Sequence, residues 1–197
     1  MPDLHSVIGV MAGIVGLLGF VPYAVAVLRG TTQPSIASWI IWTALGTVIS
    51  ASYFSADSAS SWWLTASYAV GPFVILFLSL KVGRFRWDRV DSLYIGGALI
   101  GLVWWWLSGV AAAAQVVSIV VDLLGAIPTV KKCWLDPESE DPTAWWVFLL
   151  ASLLNLFAVE RWSLASGLYP VYSACIAAAM VVCITRPIRT KVAGLTD

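Results

Sequence analysis

A chain of 197 residues that is 60% hydrophobic and 11% charged, with a mean hydropathy of +0.87, is not an ordinary water-soluble domain. In such domains charged residues make up about a quarter of the chain. Eleven basic residues balance 11 acidic ones with no basic block, which excludes a nucleic-acid-binding surface and leaves the integral membrane protein as the expected class.

A helix needs about 20 mostly apolar residues to cross the hydrocarbon core. Seven such runs, each bounded by polar or turn-forming residues, cover roughly 6–28, 35–54, 62–82, 92–107, 110–134, 143–159 and 163–185. Six is the alternative count, because Ser108-Gly109 is a tight link between the fourth and fifth runs. Seven is preferred, since Ile95 to Cys133 is too long for one helix. Arg29, Lys81, Arg84, Arg86, Arg89, Lys131, Lys132, Arg186, Arg189 and Lys191 fall on one side of this arrangement, and Arg161 alone on the other. The positive-inside rule then places the C-terminus in the cytoplasm and the N-terminus outside.

The first helix follows Asp3 and His5 rather than a basic segment and has no small-residue cleavage site, so it reads as part of the mature protein, not a signal peptide. Gly9, Gly13 and Gly16 give it a face for close approach, and Pro22 interrupts it. On the second helix Trp39, Thr43, Gly46, Thr47 and Ser50 recur at helical spacing, with Trp42 one turn deeper than Trp39. The third carries Ser67, Tyr68 and Pro72. The fourth has Gly97 and Gly101 at packing distance and ends in Trp104-Trp105-Trp106, an expected headgroup anchor.

On the fifth helix Gln115, Ser118, Asp122, Gly125 and Thr129 are spaced three, four, three and four apart and share one face. Asp122 is the sole acidic residue near the middle of any run, and no Lys, Arg or His lies centrally to pair with it. An ionised carboxylate at that depth costs about 2.5–3.5 kcal/mol on insertion scales, so this face is expected to avoid lipid. Two roles follow for Asp122, with Gln115 and Ser118 beside it. One is proton coupling through a polar relay; the other is a structural hydrogen bond to a Tyr, Ser or Trp on a neighbouring helix.

The acidic loop Asp136-Pro137-Glu138-Ser139-Glu140-Asp141-Pro142 is expected to balance Lys131-Lys132 locally at the junction of two helices, and no metal site or cofactor is expected. The sixth helix answers the second with Trp145, Ser152 and Asn155. Asn155 suits either a hydroxyl-rich or amino-acid solute or an interhelical bond. Trp39 and Trp145, near the cytoplasmic boundary, are either substrate walls or belt residues. Tyr169 and Tyr172 on the seventh helix, with Tyr68 on the third, are candidates for stacking and hydroxyl contacts to a solute, and Pro170 lies between the first two. Cys133, Cys175 and Cys183 are expected to be buried apolar fillers.

One internal echo organises these runs. Gly16-Leu17-Leu18-Gly19-Phe20-Val21-Pro22 returns 106 positions later as Asp122-Leu123-Leu124-Gly125-Ala126-Ile127-Pro128, and the same offset carries Trp39 onto Trp145 and Trp42 onto Phe148. Trp63, Ser67 and Gly71-Pro72 correspond more loosely to Trp162, Ser166 and Tyr169-Pro170. Pro22, Pro72, Pro128 and Pro170 thus interrupt the first, third, fifth and seventh helices, as hinges or as static kinks. The expected fold is an all-α integral membrane protein of seven transmembrane helices. Residues 1–86 form a first three-helix repeat, 87–109 the crossover helix, and 110–197 a second, parallel repeat with the cytoplasmic tail.

Two triplets, each with a late proline in its first helix, a short polar loop and a Trp-bearing second helix, resemble the SWEET and PQ-loop (cystinosin-like) transporter superfamily. The resemblance spans nearly the whole chain through Pro22-Tyr23 with Thr31-Thr32-Gln33-Pro34-Ser35, and Pro128-Thr129 with Lys131-Lys132 and its loop. The glutamine that names the motif is replaced by Tyr23 and Thr129, and Ser67 and Ser166 are the nearest polar residues to the family's paired asparagines, so this is a divergent branch.

The resemblance implies alternating access between two triple-helix bundles. An aromatic from each half, here Trp39 and Trp145 or the deeper Trp42, would close on a small polar solute such as a sugar or amino acid. The expected partners are the lipid bilayer and that solute, with a homo-oligomer left open. The alternative is a seven-helix receptor or sensor that binds without transporting. An enzyme is not expected, because the chain has a single His, His5, and shows no nucleophile with a base in view.

Overall fold

Helix ends follow local chemistry. The computed structural model describes residues 4–55, 62–108 and 111–186. Among them run seven α-helices: α1 (Leu4–Arg29), α2 (Ile36–Ser55), α3 (Trp62–Val82), α4 (Asp91–Ser108), α5 (Ala111–Leu135), α6 (Pro142–Phe157) and α7 (Leu164–Thr185). They match the seven apolar runs to within about two residues at most ends, and no strand occurs among the described residues beyond one isolated bridge between Ser35 and Arg86. Gly30, at φ 71°, ends α1 in a Schellman turn, with Gly30 N donating to Val27 O and Thr31 N to Ala26 O, both at 3.0 Å. Gly83, at φ 69°, ends α3 with a single bond to Ser79 O. Asp141 caps α6 by accepting from Ala144 N at 2.7 Å ahead of Pro142, and Ser163 with Ser166 forms a capping box on α7.

Packing places six helices in a closed ring, in the order α1, α3, α2, α5, α7, α6 and back to α1, while α4 lies outside against α2 and α5. Neither α1 and α2 nor α5 and α6 are neighbours in this ring. Exchanging α1, α2 and α3 with α5, α6 and α7 maps the contacts of this ring onto themselves. Sequential helices run oppositely, so the α1–α2, α3–α4 and α5–α6 loops collect at one end with Arg29, Arg84, Arg86, Lys131, Lys132 and Arg186. Their contacts there include Arg84 with Gly30, Lys132 with Gln33 and Arg186 with Trp134. This is called the basic end below. His5, Glu160 and Arg161 lie at the opposite end, where His5 bonds Phe157 O at 3.1 Å.

Two of the helices are long and apolar enough to cross a membrane: Leu4–Arg29, and Ser166–Thr185 within α7. The stretches Ile36–Ala51, Ala69–Val82, Asp91–Leu107 and Pro142–Phe157 are apolar but shorter. Large apolar side chains nevertheless cover the outside of the ring. Val7, Val10, Ile14, Leu18, Val21, Val25 and Leu28 form one exposed stripe along α1, and Leu93, Ile100, Val103 and Leu107 another along α4. A soluble monomer rarely exposes contiguous apolar area on this scale.

Small residues set the closest approaches. On α1, Gly9 and Gly16 face Ala158 and Ala151 of α6, and a Cβ at either would rest in ordinary contact at 3.6 and 3.7 Å. Gly97 and Gly101 of α4 meet Leu124 and Val121 of α5. Gly19 is tighter, because a Cβ there would lie 2.5 Å from the Phe148 ring. One cysteine departs from expectation: Cys133 and Cys183 are buried, but Cys175 is exposed on α7, since its side of the helix looks out of the ring.

At the surface, Lys131 donates to Asp88 at 2.7 Å and holds that carboxyl below the usual carboxylate range, tying the α3–α4 loop to α5. The sign is that of a depressed acid. The contribution is present above the unfolded pKa and is lost as pH falls through the lowered folded value. Gly19→Ala is expected to lower stability by about 1–3 kcal/mol through displacement of Phe148, while Gly9→Ala changes it by less than about 0.5 kcal/mol. Thermal unfolding in detergent, compared for the two variants, checks this contrast.

Candidate functional site

The Trp residues singled out on α2 and α6 lie inside the ring, near its basic end. Trp39 and Trp145 are 2% and 6% exposed, which removes them from any surface belt. Trp39 stacks edge-on with Trp42 at 5.0 Å and tilts against Tyr23 at 4.9 Å. Phe20 touches Trp39 at 6.2 Å and Phe148 at 5.1 Å, and Phe148 meets Trp145 at 5.6 Å. Six aromatic rings from α1, α2 and α6 therefore form one continuous plug, with edge-to-face geometry typical of stable aromatic pairs. On the α5 side Gly125 admits it, because a Cβ there would sit 2.9 Å from Trp42 Nε1.

Below the plug, towards the basic end, the expected balance between the acidic loop and the end of α5 is met by Lys132, inside the fold rather than at its surface, while Lys131 turns to Asp88 instead. Lys132 Nζ and Glu140 Oε1 form an ion pair at 2.5 Å, their side chains 3% and 0% exposed. Lys132 also donates to Gln33 O in the α1–α2 loop and to Ser139 O at 3.2 Å, and Trp145 Nε1 donates to Glu140 Oε2 at 2.9 Å. The Tyr23 hydroxyl faces the same carboxylate with the Trp39 indole beside it, yet neither Tyr23 Oη nor Trp39 Nε1 makes a well-formed hydrogen bond. Glu140 is thus more than local charge compensation; it is a buried anion at the meeting of α5, α6 and the α1–α2 loop. Nothing in the loop's composition separates Glu140 from the exposed Glu138 two residues earlier. Phe148 did carry a signal, since the 106-residue offset places it opposite Trp42.

On α5 the polar face turns towards α2 and α7. Thr129 donates to Ser38 Oγ at 2.8 Å, both residues buried. Asp122 accepts from Tyr172 Oη at 2.7 Å, and Tyr172 in turn lies 6.1 Å from Tyr169. No cation pairs with Asp122 among the described residues. Gln115 and Ser118 are part-buried on the same face and make interactions of their own. On α2 the stripe of hydroxyls is largely self-satisfied: Thr43 donates to Trp39 O, Thr47 to Thr43 O and Ser50 to Gly46 O, at 2.6–2.7 Å.

Asn155 lies ten residues beyond Trp145, about 15 Å along α6. It lines a hollow of about 440 Å³ at the opposite end, together with Glu160, Arg161, Ser166 and Pro170. Asn155 and the three tryptophans are therefore not in one place. Ser166 is occupied as a cap and donates to Arg161 O at 2.6 Å. The side chain of Ser67 lies outside the described residues. Pro22, Pro72, Pro128 and Pro170 all sit inside continuous helices, and all but Pro22 are buried.

No protein family, curated protein or solved structure matches the chain.

Tyr172→Phe removes the donor to Asp122 without altering shape. A double-mutant cycle with Asp122→Asn, read by thermal unfolding in detergent, is expected to give a coupling of about 0.6–1.7 kcal/mol, the range of interhelical bonds in membranes.

Proposed function

We propose that this protein is a multi-pass carrier of a small polar solute. In this reading all seven helices cross the bilayer, the basic end faces the cytoplasm, and the chain is a divergent member of the SWEET and PQ-loop superfamily. The observation that carries the reading is the six-helix ring, whose contacts are preserved when α1–α3 are exchanged with α5–α7, plugged near its basic end by six aromatic rings. Two parallel triplets joined through α4 produce that pattern, and carriers built from paired repeats hold their solute between the halves. The apolar stripes on the outer faces suit contact with lipid, and collection of the basic residues at one end suits the positive-inside rule.

Within this frame the solute enters from the hollow beside Asn155 and moves towards the plug. Asn155 offers two donors and an acceptor, fitting hydroxyl or amino-acid groups. Asp122 and Tyr172 lie on the path between hollow and plug, at a depth where a carboxyl group is rare without a role. Proton coupling then amounts to proton uptake at Asp122 with a change in its bond to Tyr172. Trp39, Trp42 and Trp145 close the far side, and the four helix-interrupting prolines are where the bundles flex.

Purified protein in liposomes, loaded with labelled sugars or amino acids in turn and given an inward proton gradient, is expected to show saturable flux of one class. Asp122→Asn is expected to abolish the pH dependence of that flux, and an unchanged pH profile would remove proton coupling. Ligand-induced thermal stabilisation with no flux across the whole set identifies a receptor instead.

A further inference from the structure

We infer that Lys132, held in place by buried Glu140, is the latch of a gate at the basic end, its ammonium bonding the first half at Gln33 O and letting go when that end opens. The inference rests on the carrier reading and adds to it the residues that keep one end shut.

Three observations converge on the pair. The first is its place: Lys132 ends α5, Glu140 precedes α6, and the ammonium reaches across to Gln33 O between α1 and α2. It therefore ties both ends of the second half's loop to the first half. Gln33 N returns the contact by donating to Ser139 O at 3.0 Å. Beside it the halves also meet through Ser38 and Thr129, and through Tyr23 against the start of α6.

The second is energetic. A buried ion pair seldom raises stability over an apolar pair of equal volume, yet loss of one partner is severe because the other charge stays buried alone. Its best-attested use is to select one arrangement over another. Lys132 and Glu140 belong to the same half, so parting the halves breaks the ammonium's bond to Gln33 O and hydrates the pair without separating it; that bond favours the shut arrangement without forbidding the open one.

The third is what surrounds it. Tyr23 Oη, Thr32 Oγ1 and Trp39 Nε1 are buried without well-formed hydrogen bonds, and Thr32 shares with Glu140 the wall of a hollow of about 390 Å³ at the basic end. Closing this end leaves polar atoms unsatisfied, and opening lets water reach them. The shut state is thus opposed by desolvated polar groups and maintained by the Lys132–Gln33 bond and aromatic packing, the balance a gate requires. Trp145 joins the two, since its indole N–H holds Glu140 while its ring belongs to the plug.

The test reads gate opening directly. In a background with Cys133, Cys175 and Cys183 replaced by alanine, Ser38→Cys reports on the seam between halves, and Ile75→Cys, buried within the first half, reports on general packing. Maleimide labelling is followed on the purified protein in detergent micelles, where both ends meet the reagent. Lys132→Met and Glu140→Gln are expected to label at Ser38→Cys at least tenfold faster than the parent, and Trp145→Phe a few-fold faster. Ile75→Cys is expected to label equally slowly in all of them.

Unchanged labelling at Ser38→Cys in the single-charge variants overturns the latch, as does equal acceleration at Ile75→Cys. Should those variants fail to fold, Trp145→Phe decides: acceleration confined to Ser38→Cys supports the latch, and none removes it. The same proteins are then assayed for flux. Faster labelling with no solute movement leaves the latch and removes the carrier; flux with unchanged labelling does the reverse.

Discussion

A charge taken out of water has to be answered locally, and this requirement organises the protein. Lys132 and Glu140 are almost wholly enclosed and answer each other, and the groups gathered around them come from the α1–α2 loop, the α5–α6 loop and the first turn of α6. The aromatic plug stacks directly on this pair through Trp145. Remove the pair in thought and the plug loses its floor, the α1–α2 loop its tether, and the start of α6 its contact with α5. Asp122 obeys the same rule by a different route, its charge answered by a phenol rather than a cation.

The helices were legible because apolar run length and the residues that end runs are both local signals. Gly30 and Gly83 stop helices by adopting positive φ, Asp141 and Ser163 start them by capping, and each can be read within a few positions. The face of α5 was equally readable, since three-and-four spacing fixes a face without knowledge of what it meets. Its partners were not, because Tyr172 and Ser38 come from helices distant in sequence.

The failures have the same origin. Glu138 and Glu140 are identical in type and two residues apart, yet one is exposed and the other enclosed, a difference set by where Lys132 and Gln33 arrive. Cys175 is exposed because of the rotation of α7 in the ring, which a helix apolar on all sides does not announce. Asn155 and Trp145 share a helix in sequence and part company in space, since ten residues of helix separate a hollow from a plug. Composition says how many polar groups the interior holds; tertiary contact alone says which of them meet.

Position α4 outside the ring, and the two seams between the halves cease to be equivalent. The seam of α2 with α5 is backed by a second layer of helix, fastened to α5 through Gly97 and Gly101, whereas the seam of α1 with α6 is a single layer running along Gly9 and Gly16. The two seams are thus built differently, one doubled by α4 and the other closed by the direct, glycine-lined approach of α1 to α6, which gives a nominally two-fold ring a front and a back.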